Sequence, residues 1–410
     1  MADRQVEVLI VGGGPAGLAC ASAMAASGDV LVVEREQRAG GIPRHSDHTG
    51  YGLRDRHRLQ TGPAYAEACR SAALDAGATL LEGAMVTDWT GEREVAVTAP
   101  TGRLTVRANA VVLATGARER PRSARRIPGD RPDGVLTTGQ LQNLVHLHHR
   151  TVGGTAVVVG GELVSWSAVL TLREAGCRTV AMVTPHPRAE AYAAFRWAGR
   201  VALRVPVLGH SDVVRIDGRD RVSSVVVRDR GTGAERVVRC DTVVTTGDWI
   251  PDHELARTGG LDLDRGTLGP AVDAGLRTSA AGVFAVGNLL HPVDTADVAA
   301  LDGVHAAAAI RDWLDTGAVR RGVHLVAERP LRWVSPQYVE PGGAAPARQR
   351  LLSWTDSLVR RPVVEAVQDD IVVGRFRPWW PAAPGRVFRI SSRILDAVDP
   401  AGGEVTVRLA

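Results

Sequence analysis

Close to its start the chain carries a mainly apolar run, VEVLIV (Val6 to Val11, interrupted by Glu7), which passes through a glycine cluster into PAGLACASAMAA, a stretch of small, uncharged residues. A continuous apolar run bounded by turn residues predicts a strand buried on both faces, and the small-residue stretch predicts a helix lying close against it. A second run, VLVVE (Val30 to Glu34), completes a strand-helix-strand unit. The same order returns from Thr155 in TAVVVGGELVSWSAVLTLREAGCRTVAMVTP, so a second such unit is predicted. From about Arg329 the pattern changes to short runs (VVEAV, IVVGRF, RVFRIS, EVTVRL) separated by Pro and Gly, which predicts a small all-β appendage. Within it, Trp379 and Trp380 are expected inside the β core rather than on an interaction patch.

Composition narrows the class. At 410 residues the chain is long enough for two or three domains. It has 45% hydrophobic and 23% charged residues, the balance of a globular protein. It contains no apolar run of the roughly 18 residues that a membrane span needs. The first residues pass directly into a strand, so no signal peptide and a cytoplasmic location are expected. All 49 basic residues are arginine, which excludes Schiff-base chemistry through a lysine. The net charge of +4 comes with no basic helix or aromatic-basic platform, so no nucleic-acid partner is expected. Cys20, Cys69, Cys177 and Cys240 are scattered, with no close pair. That spacing argues against a dithiol centre, or a cysteine-held zinc or iron-sulfur site, within this chain alone, and no metal is expected.

The chemistry-bearing feature is the first glycine cluster. Gly12 makes the tight turn, Gly14 lets the backbone approach a pyrophosphate, and Gly17 lets the helix pack on the strand. Pro15 and Ala16 begin the helix, whose free N–H groups and partial positive charge suit a phosphate. Glu34 ends the second strand, where a carboxylate can accept ribose hydroxyls, and Arg35 follows it. Motif, context and acid together predict a dinucleotide site.

The segment resembles the opening of the FAD domain in flavoproteins with two dinucleotide-binding domains, the group that includes the pyridine nucleotide-disulfide oxidoreductases. Further pieces match in order: Gly40-Gly41, VVLATGARERP (Val111 to Pro121, with Thr115 and Gly116), and TSAAGVFAVGN (Thr278 to Asn288, with Gly287). The helix that follows begins near Ala296. The resemblance implies FAD, with Gly41 on the flavin-side loop, Val86 presenting backbone to the adenine, Asn288 at the ribityl chain and Ala296 at the pyrimidine. The family usually has aspartate where Asn288 stands, and an amide can still hydrogen-bond a hydroxyl. Asp294 and Asp297 are read as helix-capping groups without a catalytic role. The implied fold class is α/β, with two Rossmann-like dinucleotide-binding domains and a small C-terminal β-rich domain. The FAD domain covers residues 1–120 and 253–325, the inserted NAD(P)-domain-like unit 121–252, and the β-rich domain 326–410.

The second glycine turn departs from its motif. With Gly160 as the first glycine, Glu162 and Ser165 hold the second and third positions, and a carboxylate there opposes a pyrophosphate by size and by charge. The next strand ends at Thr184 with no acid for a ribose, and His186 and Arg188 follow in a loop. NAD(P) is therefore doubtful as a cofactor. The arginine cluster Arg118, Arg120, Arg122, Arg125 and Arg126 is read as a solvated linker.

In disulfide reductases of the wider family two cysteines stand two and seven residues beyond the glycine pair. Here those positions hold Pro43 and His48, so disulfide reduction is expected to be absent. The loop from Gly40 to Ala66 is similar to α subunits of amine or amino-acid dehydrogenases such as hydrogen cyanide synthase and opine oxidase. His48 is the catalytic candidate, an imidazole able to move a proton beside a flavin, with His45 in reserve; hydrogen-bonding of the loop is an equal reading for both. The expected function is FAD-dependent oxidation of a small amine, amino-acid or hydroxy compound, or electron relay to a partner. The alternatives are a non-catalytic assembly subunit with structural FAD and an NAD(P)H-dependent flavin reductase. The expected partners are a small-molecule substrate and a second dehydrogenase subunit or an electron-acceptor protein.

Overall fold

A computed structural model describes residues 2–190, 203–292, 294–320 and 322–410. Its central feature is a sheet ordered Thr79–Glu82, Val30–Glu34, Ala2–Val11, Gly102–Leu113, in which neighbours run parallel. Val283–Ala285 adds in parallel to the end of Gly102–Leu113, and Glu94–Ala99 and Met85–Gly91 continue that side as antiparallel strands. Val8, Leu9, Ile10, Leu31 and Val32 have no solvent exposure, as consecutive apolar residues require of strands covered on both faces. The helix Pro15–Met24 lies against the helix Ala296–Thr316. Their approach is set by missing side chains: a Cβ on Gly303 would lie 2.0 Å from the Ala16 carbonyl oxygen.

The chain divides into two compact units. The first holds Met1–Arg44, Thr49–Ala117 and Ile250–Ala410; the second holds His45–His48 and Arg118–Trp249. The second unit carries a parallel sheet ordered Val135–Thr137, Thr242–Thr245, Thr155–Val159, Arg178–Val183, Val207–Leu208, with an antiparallel sheet of Ser211–Gly218, Val222–Asp229 and Glu235–Arg239. Its helix Leu163–Glu174 leaves the glycine turn where the sequence predicts one. The mixed α/β architecture with Rossmann-like units is the one expected.

The C-terminal strands form a five-stranded sheet and a three-stranded sheet around Leu351, Val364, Phe388, Ile390, Val405 and Val407. They belong to the first unit. Gln337 joins them to it by donating its backbone N–H to the Val272 carbonyl and accepting from the Val272 N–H through its side chain. The tryptophan pair is a correction. Trp379 is 98% exposed, and Trp380 stacks edge-on to Phe376 at the surface of the β region. The small core is closed by aliphatic residues and Phe388, and the pair lies on a bend flanked by Pro378 and Pro381. No helix among the described residues is long and apolar enough to cross a membrane.

Candidate functional site

The first glycine turn is built by close contacts that only glycine permits. Gly12 has φ +108°, and a Cβ there would lie 2.5 Å from the Ala114 carbonyl oxygen; one on Gly17 would lie 2.0 Å from the Gly12 oxygen. Gly14 differs: its φ is −78° and a Cβ would meet nothing within 4 Å. It is the N-cap of the helix Pro15–Met24 and no side chain caps that end. The turn therefore offers uncapped N–H groups beside open space, the geometry a pyrophosphate needs.

Glu34, 6% exposed, reaches back to this turn, accepting from the Gly13 N–H at 2.7 Å and the Glu36 N–H at 2.8 Å. Burial pushes its carboxyl above the ordinary carboxylate value, and those N–H groups pull it down. Each oxygen accepts one backbone bond and keeps a second lone pair, so the ribose hydroxyls expected there can be accommodated. Arg35 pairs with Asp252 at 3.1 Å, and Thr115 donates its hydroxyl to the Asp252 carbonyl while Gly116 accepts from the Asp252 N–H. Asp252 thus ties the ATG turn to the end of the acidic strand, a link that no local spacing announces.

The remaining pieces gather in the same unit. Gly40 donates its N–H to the Gly13 oxygen at 2.7 Å, and a Cβ on Gly41 would lie 2.9 Å from the Gly14 Cα, so the glycine pair rests on the turn. Gly287 has φ +71° and sits against Ala16. Asn288 forms a two-way link with Asp294, its amide donating to the Asp294 carbonyl and its oxygen accepting the Asp294 N–H. One N–H and one lone pair of that amide remain for a hydroxyl. Ala296 begins the helix that Thr295 caps without a side-chain bond. Val86 is buried at 6% on its strand. Asp297 accepts from Arg54 and from the Val298 N–H, as a first-turn carboxylate should. Asp294 is not a cap; its side chain lies in a buried ion chain described below.

His48 and His45 belong to the second unit. The His48 Nε2 lies 2.6 Å from the Ser167 hydroxyl, which also accepts from the Gln142 amide at 2.8 Å. Beside this pair, His146 lies 3.1 Å from Asp47 and 3.6 Å from Glu174. The polar lattice joins the loop to the helix Leu163–Glu174 and to the turn after Thr138–Gln142.

The second glycine turn is filled by the chain itself. Glu162 is the N-cap residue of its helix and accepts from the Gly161 N–H at 3.2 Å, the Ser165 hydroxyl at 3.0 Å and the Thr246 hydroxyl at 3.1 Å. Its carboxylate therefore occupies the turn just before the helix and puts a negative charge beside the helix N-terminus. A second carboxylate, Glu190, follows: its N–H donates to the Gly161 oxygen, it accepts from Thr184, and a Cβ on Gly161 would lie 2.1 Å from its Oε2. Burial, with the nearby Glu162 charge, pushes Glu190 up to about 7. Arg125 donates to the Thr246 and Gly247 carbonyls behind this turn, and Arg122 to the Ile127 and Pro128 carbonyls. Both are half-buried structural donors, which corrects their reading as a solvated linker. His186 lies 3.4 Å from Glu190, and burial lowers its pKa.

The fold and the first glycine turn define an FAD-dependent oxidoreductase with two dinucleotide-binding-type units. The sequence pattern of the Pyridine nucleotide-disulphide oxidoreductase family matches residues 6–303, and the chain belongs to that family. It is 28% identical to a thioredoxin reductase of Treponema pallidum (strain Nichols) over 331 residues, 77% of this chain and 99% of that protein. It is also 28% identical to an opine oxidase subunit of Agrobacterium tumefaciens (strain Ach5) over 318 residues, 69% of this chain and 61% of that protein. Among solved structures, the T. acidophilum thioredoxin reductase superposes with a TM-score of 0.64 at 22% identity, covering 75% of this chain and 98% of that one.

These likenesses correct the expected reaction. Oxidation of an amine, amino acid or hydroxy compound, with the alternatives set beside it and with disulfide reduction excluded, does not stand against relatives that are thioredoxin reductases along nearly their whole length. The exclusion rested on Pro43 and His48 in one loop. Those two positions rule out one placement of a dithiol and say nothing about a disulfide carried elsewhere.

Proposed function

We propose that this chain is an FAD-dependent oxidoreductase acting on a thiol-disulfide couple that the substrate carries. The observation behind the disulfide is the likeness to thioredoxin reductase along 99% of that protein. The four cysteines here are free and buried, and burial pushes Cys20 and Cys240 up to about 12 and Cys69 and Cys177 to about 11. A thiol held that far above neutrality supplies little thiolate, the nucleophile of disulfide exchange. The reacting sulfurs therefore belong to the substrate, whose disulfide would take two electrons and two protons from the reduced form of the cofactor to give two thiols, the cofactor having first taken two electrons from a separate reductant, an electron-donor protein or a dithiol. FAD supplies the two-electron carrier when bound. The chain's share is to seat the pyrophosphate on the turn Gly12 to Gly17, to orient the ribose through Glu34, and to hold the flavin-side loop at Gly40-Gly41. His48, whose Nε2 lies 2.6 Å from the Ser167 hydroxyl, is the candidate for proton transfer.

The test is stopped-flow reoxidation. Protein reduced with dithionite under argon is mixed with oxidised thioredoxin, low-molecular-weight disulfides and, separately, small amino acids and their imines. Return of oxidised-flavin absorbance with a disulfide supports the reading, and a reduced flavin inert to every disulfide overturns it. A polypeptide partner belongs to the same proposal, supported by the likeness to a protein that is one component of an opine oxidase. A cytoplasmic setting fits the free cysteines.

A pyridine nucleotide is not assigned to the second turn, because Glu162 and Glu190 take up its anion site. Glu162→Gly is expected to bind NADPH about 10-fold more tightly than the parent protein, as removal of one close like charge would give. Isothermal titration reads the difference, and an unchanged, tight affinity in both proteins would show that the carboxylates do not guard the site.

A further inference from the structure

The family match ends at residue 303, and the C-terminal β region beyond it has no role in the reading above. It supplies both ends of a buried chain of alternating charge. Arg389 lies 3.2 Å from Asp294, Asp294 3.5 Å from the His291 Nδ1, the His291 Nε2 3.2 Å from Asp302, and Asp302 3.4 Å from Arg348. The three inner side chains are at most 4% exposed. Arg389 stands on the strand Phe388–Ser391 and Arg348 on the turn Ala347–Gln349. Burial opposes a charge on His291, but Asp302 and Asp294 outweigh it and hold the imidazole above its ordinary pKa.

Both carboxylates stand in the framework of the flavin segment. Asp294 is clasped by Asn288 through its backbone and lies two residues before Ala296. Asp302 adjoins Gly303, the point where the helix Ala296–Thr316 touches Ala16 at the start of the glycine-turn helix. Removing an arginine from such a chain leaves a buried carboxylate with His291 as its one remaining charged neighbour in the chain, an unfavourable state. Asp294 is thus held twice, its side chain by Arg389 and its backbone by Asn288, so the arginine and the amide position the same residue.

We propose that the C-terminal β region is a clamp for cofactor retention, in which Arg389 and Arg348 act as positioning residues that fix Gly287, Asn288 and Ala296 through the chain Asp294, His291 and Asp302. The proposal rests on the placement of Gly287, Asn288 and Ala296 at the flavin. Apo full-length protein is titrated with FAD and followed by flavin fluorescence. Arg389→Gln and Arg348→Gln are each expected to bind FAD about 10-fold more weakly than the parent. Arg375→Gln, which breaks a pair with Glu365 in the same β region but away from the segment, is expected to keep the parent affinity. If one of the two clamp variants fails to fold, the other carries the measurement. Parent-like affinity in a folded clamp variant overturns the clamp, as does an equal loss in Arg375→Gln, which would trace retention to general stability of the β region. A parent protein that binds no FAD overturns the flavin placement itself, so the two failures are told apart.

Discussion

Gly14→Ala is expected to leave the fold intact and to strip the protein of its flavin. The backbone at Gly14 has φ −78°, open to any residue, and an added Cβ meets no protein atom within 4 Å. Two small effects on stability oppose one another: alanine is a poorer N-cap than glycine, yet it lowers the entropy of the unfolded chain, so the net change stays within about 1 kcal/mol. The space the methyl enters is the space through which a pyrophosphate approaches the backbone. A loss of about 100-fold in FAD affinity, or about 2.7 kcal/mol, is the expected outcome. Gly12→Ala behaves differently, because there the methyl collides with the Ala114 carbonyl and the positive φ adds strain, so the folded state itself suffers. Melting of the apo proteins and FAD titration together separate the two cases. A Gly14→Ala protein that holds FAD as the parent does would move the pyrophosphate away from this turn.

Glu190→Gln is expected to stabilise the protein at alkaline pH and to do little in acid. Burial and the Glu162 charge lift Glu190 from 4.5 to about 7 in the folded protein. The folded state therefore holds a proton that the unfolded chain releases at lower pH. That contribution is present in full below the unfolded value of 4.5 and is lost as pH rises through about 7. Above this range Glu190 is ionised against Glu162, and glutamine, which keeps an oxygen to accept the Thr184 hydroxyl, escapes the penalty. A gain of about 2–3 kcal/mol at pH near 8, vanishing near pH 4, follows from the size of the shift. Thermal melts of parent and variant across this range measure it, and a gain independent of pH would mean that Glu190 does not titrate where the geometry puts it.

The two glycine turns show what was legible and why. At the first, each requirement is local: a positive φ at Gly12, an approach within one turn at Gly17, an acid at the next strand end. All of these stand in the sequence within one strand-helix-strand unit. At the second, Glu162 was visible as an obstacle to phosphate, because its position in the motif fixes its place at the helix N-terminus. Glu190 and Arg125 were not visible, since neither belongs to the motif; they reach the turn only after the sheet is assembled. Arg125 reads as solvated because its neighbours in sequence are charged and prolyl, whereas the carbonyls it satisfies lie at Thr246 and Gly247. The disulfide question failed for a related reason. Two loop positions without cysteine exclude one dithiol geometry and not a reaction class, because where the reacting sulfurs lie is a property of enzyme and substrate together.

The paired strand-helix-strand units, the dinucleotide-type glycine turn and the all-β character of the C-terminal region are written in local pattern, because periodicity and steric need act between residues a few positions apart. Chain folding alone brings Asp252 to brace the ATG turn, sets two carboxylates at the second turn, and lets Arg389 and Arg348 close a buried ion chain on Asp294 and Asp302. Charges in a low-dielectric interior choose partners by distance in space. The residues that meet there are separated along the chain by stretches whose local pattern carries no trace of the meeting.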